Sequence, residues 1–229
     1  FFRFLIMADY LEADPSELLE SPNIGLKLPE VLTVEEIDRI IATVDRSKAE
    51  GQRNRAILET LYSCGLRVSE LVNLKLSDLY FDEGFIKVEG KGNKQRLIPI
   101  SPRAINEIKL YFTDRNQIEV KSGHEDFVFI SLRRGKRLSR IMIFHMIKEL
   151  AQQASITKNI SPHTFRHSFA THLLEGGANL RAIQCMLGHE SIATTEIYTH
   201  IDRNMLRSEI IEHHPRNIKY RKEKESLFH

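Results

Sequence analysis

The sequence lacks most of the features that mark secreted, membrane-bound or disulfide-stabilised proteins. Only two of its 229 residues are cysteines, Cys64 and Cys185. Both lie inside helical patterns, which predicts packed, reduced thiols rather than a disulfide framework. No apolar run approaches the roughly 20 residues of a transmembrane helix, and no signal peptide is visible. These absences predict a cytoplasmic protein with no membrane partner.

The charge balance is nearly even but unevenly distributed. The chain is 41% hydrophobic and 28% charged, as in an ordinary globular protein, and its net charge of +2 does not by itself announce a nucleic-acid partner. Residues 131–140, however, contain five bases and no acid. Such a run is either a solvated loop or a patch that binds phosphates. Its basic residues are Arg133, Arg134, Lys136, Arg137 and Arg140.

Composition along the chain predicts a main domain with short flanking segments. The sequence does not begin with methionine, so we expect a fragment of a longer protein. Residues 1–22 are too few for a domain, and residues 23–32 are marked by proline and glycine, as in an interdomain linker. The main domain is predicted over residues 33–216, followed by a basic tail over residues 217–229. No internal repeat is apparent.

The period of the apolar residues predicts an α+β fold that is mainly helical. Thr33 and Glu36 form a capping-box pattern, and a second helix is predicted from Gln52 to Cys64. From residue 84 the pattern becomes alternating, which predicts strands in FIKVEG and QRLIPI around the turn KGNK. We expect a third strand at residues 127–130, and further helices at 102–112 and 139–154. The prediction is a helical domain with a small three-stranded antiparallel sheet.

Residues 161–200 contain the densest set of chemically capable side chains. Ser161 and Pro162 predict a helix start, and His163 and Arg166 would share one face of that helix. An imidazole and a guanidinium on one face near a helix N-terminus suit a phosphate. His189 directly follows the glycine that ends the next predicted helix, 180–187, and Tyr198 lies on a third short helix.

These motifs, HTFRH, LGHES and the tyrosine after them, resemble the signature of the tyrosine recombinase or phage integrase family. The spacings of 23 positions from Arg166 to His189 and nine from His189 to Tyr198 fit its Xer-type members. That signature also requires an upstream arginine and lysine. Arg67, at a predicted helix start, and Lys91, in the hairpin turn 24 positions later, meet this requirement.

The resemblance implies a role for each matching residue. Arg67, Arg166 and His189 would bind the scissile phosphate, Tyr198 would be the nucleophile with His163 assisting it, and Lys91 would protonate the leaving oxygen. The implied catalytic set is therefore Arg67, Lys91, His163, Arg166, His189 and Tyr198. Glu70 would orient Arg67. Lys94, Arg96 and the basic run at 131–140 are expected to contact DNA.

The same resemblance implies a function, a fold and partners. It implies a tyrosine-recombinase catalytic domain, preceded in residues 1–22 by the end of a helical DNA-clamping domain. The activity would be site-specific recombination of double-stranded DNA through a 3′-phosphotyrosyl intermediate, with no metal and no cofactor. Its purpose would be to resolve chromosome or plasmid multimers at the nucleoid. A homo- or hetero-tetramer would act, with a septal DNA translocase as a further partner.

Other functions fit parts of the sequence. An integrase of a mobile element and a type IB topoisomerase would use the same chemistry. A metal-dependent hydrolase is suggested by His163 and His167, but Thr164 stands where a zincin motif requires glutamate. A non-enzymatic regulator is the alternative of a different class, because residues 180–200 resemble a helix-turn-helix. That alternative leaves Arg67 and Lys91 without a role.

Overall fold

The fold is a helical domain with a small sheet at one side. The computed structural model describes residue 10, residues 30–188 and residues 200–226. Within these residues no helix is both long and apolar enough to cross a membrane. The helices are α1 Val34–Ala42, α2 Gly51–Cys64, α3 Val68–Asn73, α4 Pro102–Arg115, α5 Arg140–Gln153, α6 Pro162–Glu175, α7 Leu180–Leu187, α8 His200–His213 and α9 Pro215–Ser226. The strands are β1 Leu79–Tyr80, β2 Phe85–Glu89 and β3 Gln95–Pro99.

Helix α2 forms the centre of the core. Its residues from Ala56 to Cys64 are buried, and it packs against α4 and α6. The buried polar residues of α2 are hydrogen-bonded: the Thr60 hydroxyl donates to the Ala56 carbonyl, and the Ser63 hydroxyl accepts the Ser101 N–H. Gly65 ends the helix in the left-handed conformation, with φ of 57°. A Cβ there would lie 2.4 Å from the Phe169 ring, so both the backbone and the packing require glycine.

The helix caps predicted at Thr33 and at Ser161 are confirmed. At α1 the Thr33 N–H donates to Glu36 and the Glu36 N–H donates to the Thr33 hydroxyl, which completes the capping box. At α6 the Ser161 hydroxyl accepts from Thr164, and proline occupies the first turn. These caps fix where the helices begin, and therefore which face of α6 presents Arg166.

The sheet is antiparallel and three-stranded, as predicted, but its third strand is not the predicted one. β2 pairs with β3 around the turn at residues 90–94, and β1 lies on the other side of β2. Residues 127–130 form only isolated bridges, Phe127 with Lys75 and Ile130 with Arg137. The prediction of a strand there was wrong because the apolar run reflects burial rather than pairing with a strand.

Part of the backbone of residues 125–130 bonds to side chains of α4, in addition to backbone bonds with Leu74, Leu76 and Leu138. The Arg115 guanidinium donates to the carbonyls of Glu125, Phe127 and Val128. The Tyr111 hydroxyl accepts the Ile130 N–H at 3.1 Å. Two side chains of α4 thus bind groups that a sheet ladder would otherwise use.

Residues outside both predicted boundaries of the main domain contact it. Leu32 is fully buried and its N–H donates to Ser168, and the Asn159 N–H donates to Glu30. Residues 30–32, assigned to the linker, therefore contact the domain directly. Helix α9 crosses the predicted boundary at residue 216, and Asn217 donates to the Ile210 carbonyl. The predicted N-terminal remnant at 1–22 lies outside the described residues except for residue 10, as do linker residues 23–29 and the end of the tail, 227–229.

His214 and Arg216 anchor the start of α9 in its own domain. The His214 Nε2 donates to the Tyr62 carbonyl at 3.2 Å, and its Nδ1 accepts the Arg216 N–H at 3.2 Å. The Arg216 side chain is buried and ion-paired with Glu59 and Asp38. Both ring nitrogens of a neutral His214 are satisfied, and protonation of Nδ1 would remove an acceptor. Burial, and then the charge of Arg216, lower the pKa of His214 to about 3, against the opposing effect of the Tyr62 hydrogen bond.

We expect His214 to make the fold acid-sensitive. Between its unfolded pKa near 6.5 and its folded pKa near 3, the unfolded chain binds a proton that the native chain does not, so stability falls as pH falls. The slope is about 1.4 kcal/mol per pH unit. His214→Asn keeps an acceptor for the Arg216 N–H and removes the titration. Urea unfolding at pH 7.5, 6.0 and 4.5 should give a shallower decline for this variant, and parallel declines would contradict the assignment.

Candidate active site

The start of α3 places Arg67 beside Glu70. Arg67 precedes the first helical residue in extended conformation, and its N–H donates to Glu70 at 2.9 Å. Its Nη1 also donates to Glu70, at 2.8 Å. The Arg67 side chain remains 41% exposed, whereas that of Glu70 is 1% exposed. The buried Glu70 carboxylate thus binds the protein-facing edge of the Arg67 guanidinium, and the opposite edge remains exposed to solvent.

Arg166 approaches the same carboxylate from α6. Its Nη1 lies 3.9 Å from Glu70 Oε2 and donates to the Gly65 carbonyl at 2.7 Å. Its Nη2 donates to the Leu187 carbonyl. Burial, and then the neighbouring charge of Arg67, lower the pKa of Arg166 to about 10. The guanidinium is still protonated at neutral pH, in a position where positive charge is already concentrated.

A third arginine, Arg96 of β3, completes the cluster around Glu70. It donates from Nη1 to Oε1 at 2.8 Å and from Nη2 to Oε2 at 3.0 Å. Burial alone would raise the pKa of Glu70, but the hydrogen bonds and charge of Arg96 and the bonds from Arg67 offset it. The pKa therefore lies below its usual value. One carboxylate faces three guanidinium groups, which leaves the site strongly cationic.

The C-terminal end of α7 faces the same three arginines. The carbonyls of Met186, Leu187 and Gly188 accept from Arg96, Arg166 and Arg67, the last at 3.5 Å. A helix ends with carbonyls that have no intrahelical partner and with the negative end of its dipole. The end of α7 therefore provides uncharged acceptors that complement Glu70.

Arg67, His163 and Arg166 line one cleft of about 600 Å³. The structure thus brings together three of the six predicted catalytic residues. His163 is exposed in the first turn of α6, where free N–H groups favour an anion. Arg140, from the basic run, lines the cleft as well, and so does the partly exposed Phe144. The cleft has the dimensions and charge to receive a phosphate and the sugar next to it.

Lys91 lies in the turn between β2 and β3, and the structure describes its backbone only. The turn is anchored by the Gly90 N–H, which donates to the Lys94 carbonyl at 2.8 Å. A Cβ on Gly90 would lie 3.4 Å from Arg96 Nη1 and 3.9 Å from Glu70 Oε1. The residue before Lys91 is therefore next to the arginine cluster. His189 and Tyr198 lie outside the described residues; the last described residue before them, Gly188, contacts Arg67.

The residues expected to contact DNA fall into two groups. Lys94 and all five bases of the run at 131–140 are exposed. Arg133 and Arg134 line a second cleft of about 930 Å³, together with the acids Asp114 and Glu119 and the bases Arg46, Lys48 and Lys121. Arg96, by contrast, is only 8% exposed and its guanidinium is bound to Glu70 and Met186. The expectation that it faces DNA is corrected, because its donors point into the protein.

The sequence contains a signal for the buried position of Arg96. Side chains alternate between the two faces of a strand, and Arg96 has the same parity as the buried Ile98. This parity places Arg96 on the inward face of β3. A charged residue on an inward face requires a buried partner, and Glu70 is that partner.

Three comparisons place the chain among known proteins. Residues 30–205 match the model of the phage integrase family. Tyrosine recombinase XerD of Staphylococcus saprophyticus subsp. saprophyticus is 45% identical over 217 residues, covering 94% of this chain and 73% of that protein. The crystal structure of XerA recombinase is 36% identical, with a TM-score of 0.64, over 83% of this chain and 67% of that one. The XerH site-specific recombinase bound to its difH substrate is 26% identical, with a TM-score of 0.63, over 85% of this chain and 53% of that one.

Proposed function

This chain belongs to the phage integrase family of tyrosine-type site-specific DNA recombinases, and we propose that the cleft lined by Arg67, His163 and Arg166 binds the phosphodiester that is cut. The observation that carries the proposal is the convergence of these three side chains on one cleft. Arg67 and Arg166 are held by a shared carboxylate and by backbone carbonyls. Their orientation is therefore fixed before substrate arrives, as electrostatic stabilisation of a transition state requires.

Attack on the phosphorus increases the negative charge on the non-bridging oxygens, and fixed cations stabilise that charge. The exposed edge of the Arg67 guanidinium can bind one of these oxygens, and the buried Arg166 adds a second positive charge next to it. His189, directly after the α7 end that contacts Arg67, would donate a further hydrogen bond. The arginines supply here the positive charge that metal ions supply in many other phosphoryl-transfer sites.

The bond changes follow from the residue types. The Tyr198 oxygen attacks phosphorus and loses its proton, with His163 as the base, because a phenol of pKa about 10 is a weak nucleophile unaided. The bond to the 5′ oxygen breaks, and Lys91 gives that oxygen a proton. The product is a 3′-phosphotyrosyl link and a free 5′ hydroxyl. A 5′ hydroxyl from another strand reverses the step, which exchanges strands without ATP.

For the biological role we propose resolution of chromosome or plasmid multimers. The support is the identity of 43–45% with several XerD proteins over nearly the whole chain. By the same reasoning the partners are double-stranded DNA, a homo- or hetero-tetramer of recombinase subunits at the nucleoid, and a septal DNA translocase. Sequencing the DNA bound by the full-length protein in its host would identify the target site and test this role against that of a mobile-element integrase.

The test of the chemistry is covalent trapping in excess EDTA. The substrate is the mapped target site with a nick just beyond the scissile phosphate, so that the cleaved fragment diffuses away and the protein remains on the 3′ end. We expect a slowly migrating DNA–protein band on a denaturing gel, because arginine side chains rather than a metal ion balance the negative charge of the phosphate. Loss of the band in EDTA, with recovery in magnesium or zinc, would contradict the mechanism. A site bound tightly but never cleaved would favour the helix-turn-helix regulator.

Lys91→Ala tests the general acid. Cleavage at an ordinary 5′ oxygen should slow by about 10²- to 10⁴-fold, the usual contribution of such a group. A 5′-phosphorothiolate substrate should be cleaved at nearly the parental rate, because its sulfur leaves without protonation. Lys94→Ala is the matched control from the same turn and should show no such difference between substrates. Equal slowing of Lys91→Ala on both substrates would remove Lys91 from this role.

A further inference from the structure

Arg96 contacts three described segments that carry or adjoin a predicted catalytic residue: the start of α3, the turn before Lys91 and the end of α7. Its two Nη atoms bind Glu70, the carboxylate that also holds Arg67. Its Nε donates to the Met186 carbonyl at 2.9 Å. Its side chain is 7% exposed, and the residues lining the cleft do not include it. A side chain so enclosed acts on the substrate through its neighbours.

Two glycines bring the neighbouring loops onto the Arg96 guanidinium. A Cβ on Gly90, the residue before Lys91, would lie 3.4 Å from Nη1. A Cβ on Gly188, the residue before His189, would lie 3.1 Å from the guanidinium carbon. Gly188 also has a φ of 66°, a conformation that favours glycine, and this contact leaves little room for a side chain. The guanidinium therefore lies against both of the turns that lead into the lysine and the histidine.

We infer that Arg96 is a positioning residue for strand cleavage, which fixes the Glu70 carboxylate, the turn before Lys91 and the end of α7 relative to one another. The inference rests on the proposed function. A planar guanidinium suits the task because it forms two parallel bonds to one carboxylate and keeps a third donor for the Met186 carbonyl. Lysine carries the same charge but cannot reproduce that fork. Without Arg96, Glu70 would lose two of the bonds that hold it, and Arg67 and Arg166 would lose their fixed orientation.

The test compares Arg96→Lys and Arg96→Gln with the parent in the full-length protein. The probes are two nicked target duplexes, one with the natural scissile phosphate and one with a methylphosphonate in its place. On the phosphate, adduct formation should slow by about 10²-fold, the scale expected when catalytic groups are displaced by about 1 Å. DNA affinity should stay within about threefold of the parent, because Arg96 makes no phosphate contact. The methylphosphonate lacks one non-bridging oxygen charge, so the deficit of the variants should be much smaller there.

Lys87→Met is the control, because Lys87 is a partly exposed residue of β2 whose ion pair is with Asp78. It should cleave both substrates at the parental rates. Equal deficits of the Arg96 variants on both substrates, with the parent active, would assign Arg96 to folding alone and overturn the inference. So would a parental rate in Arg96→Gln. If Arg96→Gln does not fold, Arg96→Lys carries the same comparison. If the parent protein forms no adduct on the natural phosphate, the proposed function itself is contradicted.

Discussion

Tyr198→Phe should abolish covalent attachment to DNA and leave binding and folding nearly intact. The proposed chemistry uses only the phenolic oxygen of Tyr198, and phenylalanine keeps the ring. Loss of one hydrogen bond would change the free energy of unfolding by about 1 kcal/mol. DNA affinity depends mainly on phosphate contacts and should change little. The rate of adduct formation should fall by more than about 10⁴-fold, the scale seen when a nucleophile is removed.

The measurement pairs a denaturing gel with a binding assay on the same nicked duplex. Tyr220→Phe is a control for general effects of removing a phenolic oxygen. Tyr220 lies on α9 and lines a cleft that includes none of the three arginines around Glu70. This control should form the adduct at the parental rate. Adduct formation by Tyr198→Phe would show that another residue is the nucleophile, and loss of DNA binding in that variant would show that the change is not confined to chemistry.

Glu70→Gln should be the most disruptive of the proposed changes for the fold and the site together. Glutamine keeps the shape and one acceptor oxygen, but it leaves three guanidinium groups facing no carboxylate. Removal of one partner from a buried ion pair typically costs about 3–5 kcal/mol of folding free energy. Because Arg67 and Arg166 would then repel one another without a shared anchor, cleavage per folded molecule should also fall, by about 10²-fold.

Glu107→Gln separates the two effects. Glu107 is also a buried carboxylate, bonded to Arg55 at 2.9 Å and to Gln52 at 2.7 Å, but it lies outside the arginine cluster. This control should lose stability in urea titrations and retain the parental cleavage rate once corrected for the folded fraction. The role given to Glu70 fails if its variant cleaves at the parental rate per folded molecule.

Local signals predicted the helices well. The capping pattern of Thr33 and Glu36 and the Ser161-Pro162 pair act within a few residues, so the sequence contains all the atoms that decide the helix start. The pairing of Arg67 with Glu70 was predicted for the same reason, since both lie within one turn of α3. That pairing is a hydrogen bond in the structure.

Long-range partners were not visible in the same way. Residues 127–130 have the pattern of a strand, but whether they pair depends on the Arg115 guanidinium, which occupies their carbonyls. The partner of Arg96 is 26 positions away at Glu70, and no local pattern connects the two. The charge of Arg96 indicated DNA, whereas its strand parity indicated the interior. Arg96 follows the parity and points into the protein, because the buried Glu70 carboxylate forms an ion pair with it.

The end of helix α7 contacts the arginine cluster through main-chain carbonyls. The position of these carbonyls relative to the arginines therefore matters more than the side chains of α7. Substitutions at residues 186 and 187 that still fill the core leave the carbonyls of both residues where they are. Deletion of a single residue from α7 would instead turn its last carbonyls by about 100° and shift them by about 1.5 Å. All three arginines would lose acceptors at once. Over evolutionary time this segment should therefore drift in composition while its length stays constant.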